Sequence, residues 1–394
     1  MGCVMTKDMG IFAEYLDRKF DWPSLEAERK KQLTRISELR EGRAIFTFAS
    51  AITKSGAPIS IDFDDRIYIF DQISNLEGKK IDIILETPGG FAEVVEEIVE
   101  YIRDRFSEVT MIIPGYAKSA GTIMAMAGDD ILMEPASALG PIDAQIVRGE
   151  KRFSADAFLE GLEKIKDEVE KNENKKLNLA YVPILQNISP GEIQACENAL
   201  NFAKKLVTEW LSKYKFKFWE KHSTSGEIVT DEEKEKRAGE IAKELCDHGK
   251  WLTHGRSITI KDLTDMRLKV TDFSKDQDLF DAIRRYYILL KMSFDTTNLF
   301  KIYETPISQL YRFEVSKVST APQGEHNKAE IAFECPKCKT ITKLQANLKE
   351  GMALLEGNIP FPKDNIFICP GCNNRNDLST IRRQIESQAK KKIV

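Results

Sequence analysis

Between Ala44 and Ile113 the hydrophobic period switches back and forth between two and 3.6, and this constrains the fold more than any other feature of the chain. Ala-Ile-Phe-Thr-Phe-Ala at 44–49 reads as a strand, Asp65 to Asn75 as a helix, and Ile81-Asp82-Ile83-Ile84-Leu85 as a buried strand. Glu93 to Arg105 reads as an amphipathic helix and Val109 to Ile113 as the next strand. Strands alternating with helices at this spacing imply βαβ units, a parallel sheet and right-handed crossovers, with functional loops at the carboxyl ends of the strands.

Two segments fall at such ends: Thr87-Pro88-Gly89-Gly90 and Lys118-Ser119-Ala120-Gly121. A serine at a strand-to-helix turn can project its hydroxyl from the sheet edge, while the amide of the next residue faces a developing oxyanion. The glycine pair starts its own helix, so its amides are unhindered and sit at the positive end of a helix dipole. Spacing alone leaves a second reading open, because glycine pairs and serines before small residues are also ordinary packing devices.

The chain has 394 residues, enough for one large domain and a satellite. Lys and Arg number 58 against 62 Asp and Glu, a net charge of -4, which gives no overall electrostatic case for nucleic acid or an anionic membrane. No apolar run approaches the roughly eighteen residues that span a bilayer, and no export signal opens the sequence, so a cytoplasmic protein without a membrane role is expected. Residues 23–43 read as a charged helix capped by Ser24, polar on most faces and therefore an arm or oligomer contact rather than core. Residues 155–250 are mostly helical, with starts at Ser189-Pro190 and Thr230-Asp231, and 262–280 and 281–292 carry further helical pattern. A polar linker at 320–328 then suggests three parts: an N-terminal helical arm at 1–43, the main domain at 44–320 and a small domain at 329–394.

Four of the seven cysteines form two pairs, Cys335-Pro-Lys-Cys338 and Cys369-Pro-Gly-Cys372. Two Cys-x2-Cys knuckles thirty residues apart point to a four-cysteine zinc ribbon in a reducing compartment. Four thiolates leave no open coordination position, so the expected Zn2+ is structural. The basic residues around it, among them Lys337, Lys343 and Lys390 to Lys392, suit recruitment of a substrate or partner, with weaker support for nucleic acid.

Ile-Leu-Glu-Thr-Pro-Gly-Gly, then Ala-Lys-Ser-Ala-Gly-Thr-Ile-Met-Ala-Met-Ala, then the stretch from Asp130 to Gln145 with its Ala-Leu-Gly-Pro-Ile-Asp core, resemble the serine dehydrogenase proteinase family. That family belongs to the Clp peptidase and crotonase fold group and is related to signal peptide peptidase A. The resemblance covers roughly residues 25–300. It implies an α/β fold with a Clp/crotonase-like ββα-spiral core and helical additions, to which the cysteines add the small C-terminal zinc ribbon. It further implies an ATP-independent serine peptidase that works on peptides or proteins as a homo-oligomer. Carried over by position, Ser119 is the nucleophile, Gly90 and Ala120 supply the oxyanion amides, and residues 89–92 pair with an extended peptide as an added strand.

The residue that activates Ser119 is less defined. Clp peptidases place a histidine near the segment that here reads Leu139-Gly-Pro-Ile-Asp143, and none stands there. Related archaeal membrane peptidases use a lysine before a downstream helix, which makes Lys151 the first candidate base; His254 is the second. Lys118 is expected to point away from the site, and Asp143 to orient a base or, as the favoured reading, to cap a turn. Two other readings stand beside the peptidase: a crotonase-type acyl-CoA enzyme, and a catalytically inactive zinc-ribbon scaffold or nucleic-acid-binding protein.

Overall fold

The computed structural model describes residues 10–148, 151–222, 225–314, 327–389 and 391–394, with the side chains of 147–148, 151–152 and 387–388 outside the description. The chain forms two compact units, Met1–Glu314 and Val315–Val394.

In the first unit the chain runs α1 (Ile11–Asp17), α2 (Trp22–Leu39), β1 (Ala44–Ser50), α3 (Asp65–Ser74), β2 (Lys80–Glu86), α4 (Ala92–Arg105), β3 (Glu108–Ile113), β4 (Tyr116–Ala117), α5 (Ala120–Ala125), β5 (Asp130–Met133) and β6 (Ala138–Leu139). It continues through the hairpin β7 (Gln145–Arg148) and β8 (Lys151–Ser154) into α6 (Ala155–Lys171), α7 (Val182–Leu185), α8 (Pro190–Trp210), α9 (Asp231–Leu245), α10 (His248–Trp251) and α11 (Ile260–Asp265). The unit closes with β9 (Thr271–Asp272), α12 (Gln277–Thr296), β10 (Leu299–Glu304) and β11 (Gln309–Phe313).

Seven strands form one sheet in the order β11-β10-β1-β2-β3-β5-β9. β1, β2, β3, β5 and β9 are parallel, while β10 and β11 add an antiparallel edge. The alternation of side chains along each strand divides the core. Phe46, Phe48, Ile83, Leu85, Met111 and Ile113 face one layer with α3, α4, α5, α8 and α9, and Ile45, Ala49, Ile84, Ile112 and Leu132 face α2 and α12 on the other. Both faces are covered, which explains why the central strands are apolar almost without interruption.

α2 does not stand off as a polar arm. It buries Leu25, Leu33 and Ile36 against α12, and its Arg29 is fully buried. The Arg29 guanidinium donates to Glu304 at 2.9 Å, Ser293 Oγ at 2.7 Å and Tyr311 Oη at 2.7 Å. A charge so fully paired can enter a core that an unpaired one could not. The helix cap is Asp21, which accepts from the Ser24 amide, so Ser24 lies inside the first turn. The helical pattern expected over 262–292 is likewise interrupted: Arg267 adopts φ 61, residues 271–272 pair with β5 at the sheet edge, and one uninterrupted helix begins after its Asp276 cap.

Above the carboxyl ends of the main strands a second, minimal set of pairings gathers distant segments. Ile61 bridges Gly90, Thr87 bridges Ala117, β4 pairs with β6, and Leu139 bridges Ile258. Among the described residues no helix is long and apolar enough to cross a membrane.

The second unit contains β12 (Lys328–Glu334), β13 (Ile341–Asn347), β14 (Ile359–Pro360), the hairpin β15 (Ile366–Ile368) and β16 (Arg375–Asp377), and α13 (Ser379–Ala389). Its core is a single small cluster around Ile331, Leu344, Phe361, Phe367, Leu378 and Ile385.

Candidate active site

Ser119 sits between β4 and α5 with φ 51 and ψ -117. Only glycine adopts such angles without cost, so the serine is held in a strained turn by its surroundings. Those surroundings are glycines. A Cβ on Gly89, itself at φ 100, would lie 2.6 Å from the Lys118 carbonyl oxygen and 2.7 Å from Ser119 Cβ. On Gly121 it would lie 2.5 Å from Thr87 Cγ2, and on Gly90 2.2 Å from the Ile61 carbonyl oxygen. Backbone bonds complete the lacing: Thr87 N donates to Tyr116 O and Lys118 N to Thr87 O. Among the described residues the amides of Gly90 and Ala120 donate to no protein acceptor.

A cleft of about 860 Å³ opens here. Ser119, Ala120, Gly89 and Gly90 line it together with Asp143, Gln145 and His254. The sequence-predicted Ser119, Gly90, Ala120 and His254 are thus brought to one place. The backbone of Lys151 starts β8, and its side chain lies outside the description. Lys118 turns away from the cleft, donating to the carbonyls of Gly255 and Arg256 and to Ser257 Oγ.

Of the two readings of Asp143, the favoured turn cap does not hold and contact with a candidate base remains. Asp143 caps no turn; its buried carboxylate accepts from Gln145 Nε2 at 2.7 Å and Ser154 Oγ at 2.5 Å. Two imidazoles approach the same carboxylate, His248 Nδ1 at 3.5 Å and His254 Nδ1 at 3.6 Å. Burial pushes its carboxyl up, but the polar contacts of His254 and Ser154 and the nearby imidazoles outweigh burial and hold it below the ordinary value. The His254 Nδ1 atom is buried and makes no hydrogen bond among the described residues, its approach to Asp143 being just longer than one. No hydrogen bond joins Ser119 to His254 among the described residues, an arrangement common in enzymes without bound substrate. The usable sequence signal was the stretch from Leu139 to Asp143 itself, where the family resemblance placed a site residue and the chain offers an aspartate in place of a histidine.

A family model for ClpP-like SDH-type serine proteinases matches residues 11–287. The chain belongs to this family. Its α/β fold is accordingly ClpP-like, as the three ordered motifs implied. An uncharacterized protein of Methanocaldococcus jannaschii, MJ1495, is 28% identical over 280 residues, covering 68% of this chain and 82% of its own. Two solved structures of the 1510-N membrane-bound stomatin-specific protease are similar at 16% and 18% identity, covering 55% and 63% of this chain and 74% and 78% of theirs, with TM-scores of 0.30 and 0.28. The second of these is a complex with a substrate peptide.

In the second unit of this SDH-type proteinase the four cysteines converge, with all four sulfur atoms within 4.8 Å of one another. Cys335 and Cys372 sulfurs are 3.7 Å apart and those of Cys338 and Cys369 3.5 Å. Tetrahedral zinc–thiolate bonds of about 2.3 Å place sulfurs about 3.8 Å apart, so the set fits such an ion. The knuckles are matching turns: Lys339 N donates to Cys335 O and Asn373 N to Cys369 O, with Lys339 and Asn373 at φ 62 and 58. Gly371 lets them meet, since a Cβ there would lie 2.5 Å from Thr340 Oγ1 and 3.4 Å from Cys338 Sγ. The sulfurs thus suit a four-coordinate metal ion.

Proposed function

We propose that this chain is a serine endopeptidase in which Ser119 attacks a peptide carbonyl, His254 is the general base and Asp143 orients the imidazole. The observation that carries the reading is the sharing of one cleft by a strained serine and a histidine whose Nδ1 faces a buried carboxylate. With Nδ1 turned to Asp143, His254 Nε2 is the nitrogen left to take the Ser119 proton. Oγ bonds to the carbonyl carbon, and the oxygen, now negative, is received by the free amides of Gly90 and Ala120. Collapse of that intermediate breaks the carbon–nitrogen bond, the leaving amine takes the proton from His254, and water repeats the sequence in reverse to release the acyl group. The substrate strand lies along residues 89–92 in this reading, beside the Ile61–Gly90 bridge.

No nucleotide is needed for any of these steps, in keeping with an ATP-independent cytoplasmic peptidase that works as a homo-oligomer. Zn2+ is the ion proposed for Cys335, Cys338, Cys369 and Cys372, as a structural element that shapes a surface for recruiting substrates or partners. The test is covalent: a fluorophosphonate probe should label the full-length protein at Ser119 alone, and Ser119→Ala should remove the adduct. A folded wild-type protein that stays unlabelled would sink the proposal.

A further inference from the structure

The segment carrying His254 is exposed on either side of it: Leu252, Thr253, Gly255, Arg256 and Ser257 all face solvent. An exposed stretch of this kind, with a glycine beside the histidine, has little of its own to fix the imidazole. The chain becomes buried again only at Ile258, which exchanges two 2.9 Å backbone bonds with Leu139. Between Ile258 and His254, the clamp comes from the residue next to the nucleophile. Lys118 Nζ donates to Gly255 O at 3.2 Å, Arg256 O at 3.0 Å and Ser257 Oγ at 3.1 Å.

The side chain reaches there because Gly140 clears its path, for a Cβ at 140 would lie 2.6 Å from Lys118 Cδ. Gly140 is itself fixed, exchanging bonds with Thr122 Oγ1 at 2.8 and 3.0 Å on the helix that follows Ser119. Lys118 is half-buried, and the hydrogen bonds its ammonium makes among the described residues are those three, all to uncharged oxygens. Burial accordingly pushes its ammonium below the ordinary lysine value. A cation held this way, on three uncharged oxygens of one loop, has its binding capacity spent on position.

We infer that Lys118 is a positioning residue whose ammonium clamps residues 255–257 and so sets the distance between the His254 imidazole and Ser119. The inference rests on the peptidase reading above. It makes one dipeptide step, from Lys118 to Ser119, fix both partners of the proton transfer.

The experiment compares wild type, Lys118→Met, Lys118→Arg and Gly140→Ala, all full-length, by the rate of fluorophosphonate labelling at Ser119, by kcat and KM on a peptide, and by Tm. Lys118→Met should slow labelling and kcat about ten- to a hundredfold at little-changed KM, as expected for a displaced catalytic group. Lys118→Arg, which keeps a cation with several donors but cannot accept a proton, should recover most of the rate. Gly140→Ala, which crowds the lysine stem without removing the charge, should slow labelling in the same direction.

Labelling of Lys118→Met at the wild-type rate would overturn the inference. So would an arginine variant as slow as the methionine one, since Lys118 would then be the proton acceptor. Should Lys118→Met fold poorly, Gly140→Ala decides, and wild-type kinetics there count against the clamp. Absence of labelling in the wild type would count against the peptidase reading instead; the clamp is then read by hydrogen exchange of amides 254–257, faster in Lys118→Met if it exists and unchanged if it does not.

Discussion

On one side of the cleft, the nucleophile turn and the glycine pair come from residues 87–121 and meet so closely that a single methyl group on Gly89, Gly90 or Gly121 would collide with its neighbours. On the other side, Asp143 and His254 arrive from different parts of the chain and stand 3.6 Å apart, with the imidazole on an exposed segment. The first side is fixed by backbone packed on backbone, the second by side-chain contacts to an exposed loop. Strain can be maintained only where surroundings leave the chain no alternative, so the serine belongs on the first side.

Substitutions can break this comparison, and the largest effect is expected on the second side. His254→Ala should lower kcat about a thousandfold or more while leaving Tm within a degree or two, because its ring is part-exposed and packs little. A large fall in Tm would show that the loop is structural and the contrast mistaken. Asp143→Asn should follow, with a loss of about a hundredfold or more in kcat, read by steady-state kinetics; the amide can present a donor to His254 Nδ1 and favour the wrong tautomer. Unchanged kinetics would remove Asp143 from the mechanism.

Gly89→Ala probes the tight side and should do the opposite of His254→Ala. Its φ of 100 and the 2.6 Å approach to the Lys118 carbonyl predict a fall in stability of about 2–4 kcal/mol by denaturant titration, with slower labelling as a consequence. A smaller effect, dependent on pH, is expected from Glu86, the last residue of β2. Its buried carboxyl accepts from the Tyr116 amide at 2.7 Å and Tyr287 Oη at 3.0 Å. Burial, only partly offset by those bonds and by Lys291, pushes it up to about 7.

Since the folded value lies above the unfolded one near 4.5, its contribution to stability is complete below that pH and is lost as pH rises through about 7. Glu86→Gln should therefore gain stability relative to wild type between pH 5 and 8, by at most about 3 kcal/mol in denaturant titrations. A difference independent of pH would contradict the assignment. Chelation of metal should affect neither side of the cleft: the second unit is expected to lose its near-UV circular dichroism and β structure, while Ser119 labels at an unchanged rate.

The same contrast explains what could be read from the residues. The gathering of Ser119, Gly90 and Ala120 in one place, and of the four cysteines in another, is legible because each residue belongs to a short motif whose geometry is decided within a few residues. Asp143 in Gly-Pro-Ile-Asp reads first as a turn cap and second as a partner of a base, and only the arrival of His248 and His254 about a hundred positions later separates the two. α2 reads as a polar arm because nothing near Arg29 reveals that Glu304 will neutralise it inside the core. β10 escapes notice for a related reason: Lys301 interrupts an apolar run, yet in the fold it is buried on Asp65 at 2.8 Å. Charges that become core through distant partners are the part of this fold that local pattern does not encode.

The backbone angle of Ser119 has a bearing on the history of such a chain. At φ 51 the proposed nucleophile is also among the least comfortable residues in the fold, and glycine at 119 would relieve about 1–2 kcal/mol. Ser119→Gly would therefore yield a sturdier molecule with no chemistry. In the proposed peptidase, a lineage released from the need to cut peptides would find the path away from serine running downhill, so that angle is costly to keep without the proposed chemistry.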